Sequence, residues 1–113
     1  MRIWEGDNMY LVVFRNRKRA DIDLAAYDAE AMVMETMARS QAGFISFKSY
    51  TAADDEVIAV SEWQDEAAAR AWGQVAEHRA VQSRGRDLYY DNYTLFGCDE
   101  PRVHRFENAT DFK

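Results

Sequence analysis

Short apolar segments rich in β-forming side chains recur along the chain and predict its strands. The first is Met9 to Phe14, MYLVVF, which is too short for a helix. Two more, Phe44 to Thr51 and Val57 to Trp63, are separated only by the polar stretch AADDE, which is typical of an antiparallel hairpin. A fourth strand is predicted over Leu88 to Phe96, and a short terminal one over Val103 to Phe106.

The segment between the first two strands carries the three- and four-residue spacing of a helix with one buried side. Asp21 or Asp23 can cap its start, because a carboxylate accepts hydrogen bonds from the free amides of a first helical turn. The predicted buried positions are Leu24, Tyr27, Ala31, Met34 and Ala38. Gly43 suits the left-handed backbone conformation that ends many helices.

A second helix is predicted directly after the third strand. Asp65 and Glu66 favour its start, because carboxylates are stabilised at the positive end of a helix dipole. Gly73 lowers helix propensity by about 1 kcal/mol, so we expect a bend or break near it. A shorter helical piece over 77–83 then leads to Gly85, which is predicted to end it.

The predicted element order is β-α-β-β-α-β, which defines an α+β, ferredoxin-like fold. In this fold, two helices cover one face of a four-stranded antiparallel sheet. We place the domain at residues 8–107, between an N-terminal tail at 1–7 and a C-terminal tail at 108–113.

The first strand is apolar on both of its faces. Met9, Leu11 and Val13 alternate with Tyr10, Val12 and Phe14, so one apolar set would face water in a monomer. An exposed apolar patch of that size marks an interface. We therefore predict a symmetric homodimer that packs through the open sheet face.

Composition and cysteine usage narrow the class of protein. The 113 residues are 48% hydrophobic and 30% charged, the balance of one globular domain. No apolar run reaches the roughly 20 residues that cross a bilayer, and no signal peptide is visible. The single cysteine, Cys98, cannot form an internal disulfide, which favours a reducing cytoplasm. We predict a cytoplasmic location and no membrane partner.

The charge balance disfavours nucleic acid as a partner. The formal net charge is −6, from 20 acidic and 14 basic residues. The local exception is RNRKR, Arg15 to Arg19. We interpret it as a solvated strand end and turn; a narrower alternative is that one of its arginines holds a carboxylate or phenolate at the mouth of a pocket.

Candidate chemistry concentrates in the stretch SEWQDEAAARAWGQVAEHRAVQ, which places Trp63 and Trp72 ahead of His78. Small Ala59 shares the strand face of Trp63, which leaves room for a ligand or for the helix above it. The stretch is either an aromatic pocket with an acid/base group, or core packing with a helix-end histidine. Its spacing leaves both interpretations open.

Other chemistries lack their motifs. His104 stands alone, and the sequence contains no HxH, HExxH, CxxC or carboxylate cluster, so no metal site is expected. A glycine-rich phosphate loop and a GxSxG turn are also absent from the sequence. We interpret Cys98 as a structural or incidental thiol.

Taken together, these features resemble the antibiotic biosynthesis monooxygenase superfamily of dimeric α+β barrels. The segments that carry the resemblance are YLVVFRNR, AGFISFKSY and VSEWQDEAAARAWGQVAEHRAVQSRGRDLYYDNY. The resemblance spans roughly residues 9–106 and implies the fold and the dimer. Within the superfamily, the quinone-forming monooxygenases are similar at Trp63 but carry an asparagine where this chain has Ala59.

The haem-degrading branch of the superfamily is similar in another part of the sequence. Asn16 and Trp72 resemble its strand asparagine and its helix tryptophan. The position that matches its histidine is about Gln82. The resemblance therefore implies haem binding only if a change of helix register lets His78 act as the iron ligand.

The leading hypothesis from the resemblance is cofactor-independent oxidation of a small aromatic or quinol-like molecule between the sheet and the helices. The alternatives are a non-catalytic ligand-binding dimer of the same fold and a haem-binding or haem-degrading protein. The predicted catalytic residues are His78, as base, and Asn16, as donor. The predicted substrate-binding residues are Trp63, Trp72, Phe47 and Tyr27.

Overall fold

The strands and helices follow in the predicted order, with one short strand, Glu5–Gly6, and one short helix, Gly85–Tyr89, added. The computed structural model describes residues 5–6 and 8–108. Its elements are β1 (Glu5–Gly6), β2 (Tyr10–Lys18), α1 (Leu24–Arg39), β3 (Phe44–Thr51), β4 (Val57–Trp63), α2 (Glu66–Ser83), α3 (Gly85–Tyr89), β5 (Tyr90–Asp99) and β6 (Arg102–Val103).

A four-stranded antiparallel sheet of order β3-β4-β2-β5 forms the body of the molecule. The sheet and its helices confirm the predicted ferredoxin-like α+β fold. In the central strand, Asn16 lies opposite Val57 of β4 and Tyr93 of β5. Residues opposite each other in a sheet share a face, so these three side chains point to the same side.

The hydrophobic core lies between this sheet and the helices. Its buried centre consists of Ala38 from α1, Trp63 from β4 and Ala69 from α2. Half-buried side chains pack around it: Tyr10, Val12, Phe44, Ala68 and Trp72. The core residues of β2 and β4, namely Tyr10, Val12 and Trp63, therefore mark the face of the sheet that the helices cover.

Local chemistry sets the start of both long helices. Asp23 caps α1, since its Oδ1 accepts a hydrogen bond of 3.0 Å from the Ala26 amide, which decides between the two predicted caps. Asp65 caps α2 in the same way through the Ala68 amide, at 2.8 Å. The turn after α1 places Gly43 at φ +81°, the predicted left-handed conformation.

The prediction for α1 was wrong at two of its five buried positions. Ala38 is fully buried, and Tyr27 and Met34 are half-buried, but Leu24 is 53% exposed and Ala31 is exposed too. The helix packs mainly on the edge strand β3. Apolar spacing alone cannot show that a sheet edge covers only part of a helix.

The break predicted near Gly73 was wrong, because α2 runs unbroken from Glu66 to Ser83. The cost of one glycine is small beside the cooperative hydrogen bonding of an 18-residue helix. The helix ends at Arg84, which takes the left-handed conformation at φ 54°, and not at Gly85. Gly85 instead begins the five-residue helix α3, so the next strand starts at Tyr90, two residues later than predicted.

The ends of the domain also differ from the prediction. Glu5–Gly6, in the predicted N-terminal tail, pair with Arg102–Val103, so the terminal strand is shorter and earlier than the predicted 103–106. Residues 1–4, 7 and 109–113 of the two predicted tails lie outside the described residues.

The sheet face away from the helices carries apolar side chains, as the alternation in the first strand predicts. Leu11 and Val13 are half-buried there, while Phe96 is 47% exposed. Cys98 on the same face is a free, exposed thiol. Within the described residues, no helix is long and apolar enough to cross a membrane.

Candidate functional site

The two candidate tryptophans belong to a closed aromatic group that we call the tryptophan layer: Phe44, Trp63 and Trp72. The indoles of Trp63 and Trp72 stack with their centroids 6.0 Å apart and 19° between their planes. The Phe44 ring meets Trp63 edge-on at 5.5 Å. Trp63 is fully enclosed, and its Nε1 donates a 2.9 Å hydrogen bond to the Ser61 hydroxyl. The layer is therefore core packing with its polar atom satisfied.

His78 does not share a cavity with these indoles. It follows Trp72 by six residues, and about 100° per residue turns its side chain roughly 120° away from that of Trp72. His78 is exposed and borders two open grooves, one along α2 and one between α2 and α1. One groove, of about 650 Å³, includes Arg70 and Glu77, and the other, of about 540 Å³, includes Met37 of α1. The predicted combination of two tryptophans and a histidine is thus not one site.

The other two predicted substrate-binding residues lie in different regions. Phe47 is half-buried and lies opposite Ser61, next to the tryptophan layer. Tyr27 lies on α1 among aromatic rings of β2, α3 and β5. The structure therefore separates Phe47 from Tyr27.

A second aromatic group surrounds Tyr27, and we call it the tyrosine cluster: Phe14, Tyr27, Tyr89, Tyr90 and Tyr93. The Tyr27 ring meets Tyr89 at 5.4 Å and Tyr90 at 6.1 Å, both edge-on. Phe14 lies 5.6 Å from Tyr90 and 5.3 Å from Tyr93. All five rings are half-buried, so the cluster has a solvent-facing side.

The Tyr90 hydroxyl is held in its neutral form. Burial, and then the nearby Tyr27 with its hydrogen bond, raise the pKa of Tyr90 well above its ordinary value. A phenol that stays neutral can donate a hydrogen bond to an anionic oxygen. The cluster therefore contains a hydrogen-bond donor in a largely apolar setting.

Asn16 supplies the polar atom next to this cluster. It is 2% exposed, and its Oδ1 is buried without a hydrogen-bond partner among the described residues. On its strand it follows Phe14 by two residues, and across the sheet it lies opposite Tyr93. An unsatisfied buried acceptor costs about 1–3 kcal/mol. The hydrogen bonding of such an atom is completed either by a buried water or by a ligand that reaches it.

The basic segment RNRKR reaches this region at its end. Its three arginines each face a carboxylate: Arg15 with Glu56 at 3.9 Å, Arg17 with Asp54 at 2.6 Å, and Arg19 with Asp21 at 3.2 Å. Lys18 has no carboxylate partner among the described residues, and its Nζ lies 4.8 Å from the centre of the Tyr27 ring. Lys18, the cation of the segment that no described carboxylate pairs with, thus lies at the tyrosine cluster.

Asn16 and Tyr27, two of the residues predicted from the sequence, lie at this cluster, whereas their neighbours Phe14 and Lys18 were not predicted. Phe14, Asn16 and Lys18 alternate along one strand, a spacing that puts them on one face. The segment LYYDNY supplies three tyrosines within five residues. Both signals were available in the sequence, but only the fold shows that Tyr27 of α1 joins them.

The fold and the cluster together describe a ferredoxin-like α+β protein with an aromatic site on the helix-covered face of its sheet. The sequence profile of the family described as "Antibiotic biosynthesis monooxygenase" matches residues 9–84. "Uncharacterized protein YqjZ" of Bacillus subtilis (strain 168) is 31% identical over 101 residues, which cover 89% of this chain and 87% of that protein. The chain belongs to the antibiotic biosynthesis monooxygenase family, as the sequence resemblance indicated.

Solved structures agree with this fold. A putative antibiotic biosynthesis monooxygenase from Nitrosomonas europaea superposes with a TM-score of 0.68 at 13% identity, covering 84% of this chain and 91% of that one. Rv0793 from Mycobacterium tuberculosis gives 0.66 at 17% identity, covering 90% and 99%. A variant of SnoaB, described as a cofactor-independent oxygenase from Streptomyces nogalater, gives 0.63 at 17% identity, covering 80% and 92%. At such identities the likeness supports the fold alone.

Proposed function

We propose that the chain is a monooxygenase that oxidises a small aromatic, quinol-like substrate without a cofactor, at Asn16 and the tyrosine cluster. The observation that carries the proposal is the buried Oδ1 of Asn16, which has no partner among the described residues. Family membership and the fold shared with SnoaB support the reaction class.

In the proposed reaction the substrate itself reduces oxygen. A hydroquinone and O₂ give a hydroxyquinone and water, so one oxygen atom enters the ring and the other leaves with two hydrogens from the substrate. An ionised hydroxyl makes the ring electron-rich enough to react. The proton of that hydroxyl leaves to water in the ionisation step.

Three features of the chain would assist this reaction. The half-buried rings of the cluster provide a low-polarity surface for a flat substrate. The hydroxyls of Tyr27 and Tyr90, which share one hydrogen bond, leave one O–H free, and that O–H would donate to the phenolate oxygen and stabilise its charge. The Asn16 Oδ1 would accept a hydrogen bond from the second hydroxyl and so orient the ring.

Oxygen uptake with simple hydroquinones tests the proposal. Asn16→Leu should lower the rate at least tenfold, since one oriented hydrogen bond to a reacting group is worth more than about 1.4 kcal/mol. Arg70→Gln, at an exposed site on α2, is the matched control and should keep the wild-type rate. Uptake that falls in His78→Ala but persists in Asn16→Leu would overturn the proposed site and favour the histidine predicted from the sequence.

The family alternatives are separated by two further measurements. Binding of hydroquinones without oxygen uptake would favour the alternative of a non-catalytic ligand-binding dimer. A Soret shift on titration with hemin would instead support the haem-binding alternative. We expect no shift, because Gln82 stands at the position that matches the histidine of the haem-degrading branch.

We also propose the homodimer through the open sheet face. The chain exposes 8418 Å², whereas a globular monomer of 13.1 kDa exposes about 6400 Å². The apolar side chains on the open face, including Leu11, Val13 and the 47% exposed Phe96, form a surface that a second copy would cover. Light scattering should therefore give twice the 13.1 kDa chain mass. Phe96→Asp, on the open face, should lower it to one chain; a monomeric wild type would contradict the proposal.

A further inference from the structure

Charge pairing distinguishes Lys18 from the arginines of RNRKR and from Arg86. The arginines of RNRKR are occupied by Glu56, Asp54 and Asp21, as described above. Arg86, which lies 6.0 Å from the Tyr93 ring, is paired with Glu77 at 2.6 Å. Lys18 alone of these cations has no carboxylate partner among the described residues. Its ammonium is therefore available to an anion from solution.

Lys18 and the unsatisfied Asn16 form a pair of complementary contacts. They are two residues apart on β2, about 7 Å along an extended strand. Asn16 offers a buried acceptor, and half-buried Lys18 offers a cation above the Tyr27 ring. Phe14 and Tyr93 lie beside Asn16 and supply aromatic surface.

We infer that the ligand of this site is an anionic phenol, with a ring hydroxyl that donates to Asn16 Oδ1 and a carboxylate that pairs with Lys18. The inference rests on the proposed function for the location of the site and adds the substrate class. It also assigns the basic segment the role of holding a carboxylate, through its lysine and not through an arginine.

Each half of this recognition has a reason to matter. A net charge of −6 disfavours anions over most of the surface, so an ammonium beside the aromatic rings, with no carboxylate partner among the described residues, favours an anion at this position. A ligand hydroxyl that donates to the buried Asn16 Oδ1 removes the free-energy cost of leaving that acceptor unsatisfied. A ligand ring without a hydroxyl leaves the acceptor unsatisfied. A carboxylate and a hydroxyl on one ring satisfy both contacts at once.

Calorimetric titration with 4-hydroxybenzoate, phenol and benzoate tests the two contacts separately from turnover. Wild type should bind 4-hydroxybenzoate about tenfold more tightly than either relative, the effect of one charge-assisted hydrogen bond. Lys18→Met should remove the preference over phenol, and Lys18→Arg should keep most of it. Asn16→Leu should remove the preference over benzoate. Arg70→Gln should bind all three like wild type.

The results separate this inference from the proposed function. Equal affinity for 4-hydroxybenzoate and phenol in wild type would overturn it, and so would a preference that survives in folded Lys18→Met. Oxygen uptake with 2,5-dihydroxybenzoate and hydroquinone reports on the reaction itself. If the uptake rate is equal for both compounds and unchanged in Lys18→Met, the proposed oxidation stands and the carboxylate contact is contradicted. Selective binding of 4-hydroxybenzoate without any oxygen uptake would support the contact with Lys18 and contradict the proposed monooxygenase activity.

Discussion

The tryptophan layer and the tyrosine cluster lie on the same face of one sheet, yet they differ in how their polar atoms are satisfied. They are separated by the length of β4, from Trp63 to Val57, which is about 20 Å. In the layer, buried Ser61 accepts from the Trp63 indole. In the cluster, buried Asn16 leaves its Oδ1 without a partner among the described residues. An unsatisfied polar atom, more than aromatic content, therefore separates a candidate site from core.

The largest expected effect tests whether the tryptophan layer is structural. Trp63→Ala should lower the free energy of unfolding by about 3–5 kcal/mol, because the side chain is fully enclosed and its loss leaves a cavity. Urea denaturation measures the change. Trp72→Ala should cost less, since Trp72 is half-buried. A loss below about 1 kcal/mol for Trp63→Ala would contradict the assignment of the layer to the core.

The next largest effect is an increase in stability, and it concerns Asn16 at the tyrosine cluster. Asn16→Leu should raise the free energy of unfolding by about 1 kcal/mol, because an apolar side chain of similar size removes a buried acceptor that has no donor. The same variant should lose ligand binding, so stability and function would move in opposite directions. Thermal unfolding without ligand gives the first value. A variant destabilised by 2 kcal/mol or more would show that the Asn16 amide is structurally required.

A similar gain tests the helix that carries Trp72. Gly73→Ala should stabilise the protein by about 0.5–1 kcal/mol, because Gly73 lies inside α2 and no atom lies within 4 Å of an added Cβ. Urea denaturation again provides the measurement. Gln74→Ala, at the next exposed position of the same helix, is the control and should change stability by less. Destabilisation by Gly73→Ala would indicate that the helix bends at this position after all.

The smallest effect appears only at high pH and concerns Tyr90. Its raised pKa means that the folded state favours the neutral phenol, so this contribution to stability is present below about pH 10 and is lost as the pH rises above it. Tyr90→Phe cannot ionise. Raising the pH from 9 to 11 should therefore lower the Tm of wild type relative to the Tm of this variant. A difference that stays constant would contradict the burial of the Tyr90 hydroxyl.

Much of the fold was predictable because its signals are local. Apolar runs, the Asp23 and Asp65 caps and the left-handed Gly43 each act over a few residues, and the structure has them where the sequence indicates. The errors arose where packing or cooperativity outweighs local preference. Gly73 stays helical within α2, and Leu88 joins a short helix despite its neighbouring β-formers.

The candidate site was predictable only in part. Asn16 and Tyr27 were identified, but His78 was grouped with Trp72 because the two are close in sequence. Helix rotation separates them, and no sequence distance shows which way a side chain faces until its helix is placed on the sheet.

By itself the sequence determined the class of this protein: the order of its main elements and its membership of the antibiotic biosynthesis monooxygenase family. Only the tertiary structure decided which aromatic group is closed and which is open, and which polar atom lacks a partner. The physical reason is that satisfaction of a buried group depends on atoms from several elements. Asn16 Oδ1 is unsatisfied because none of the described side chains from strands and helices around it donates a hydrogen bond.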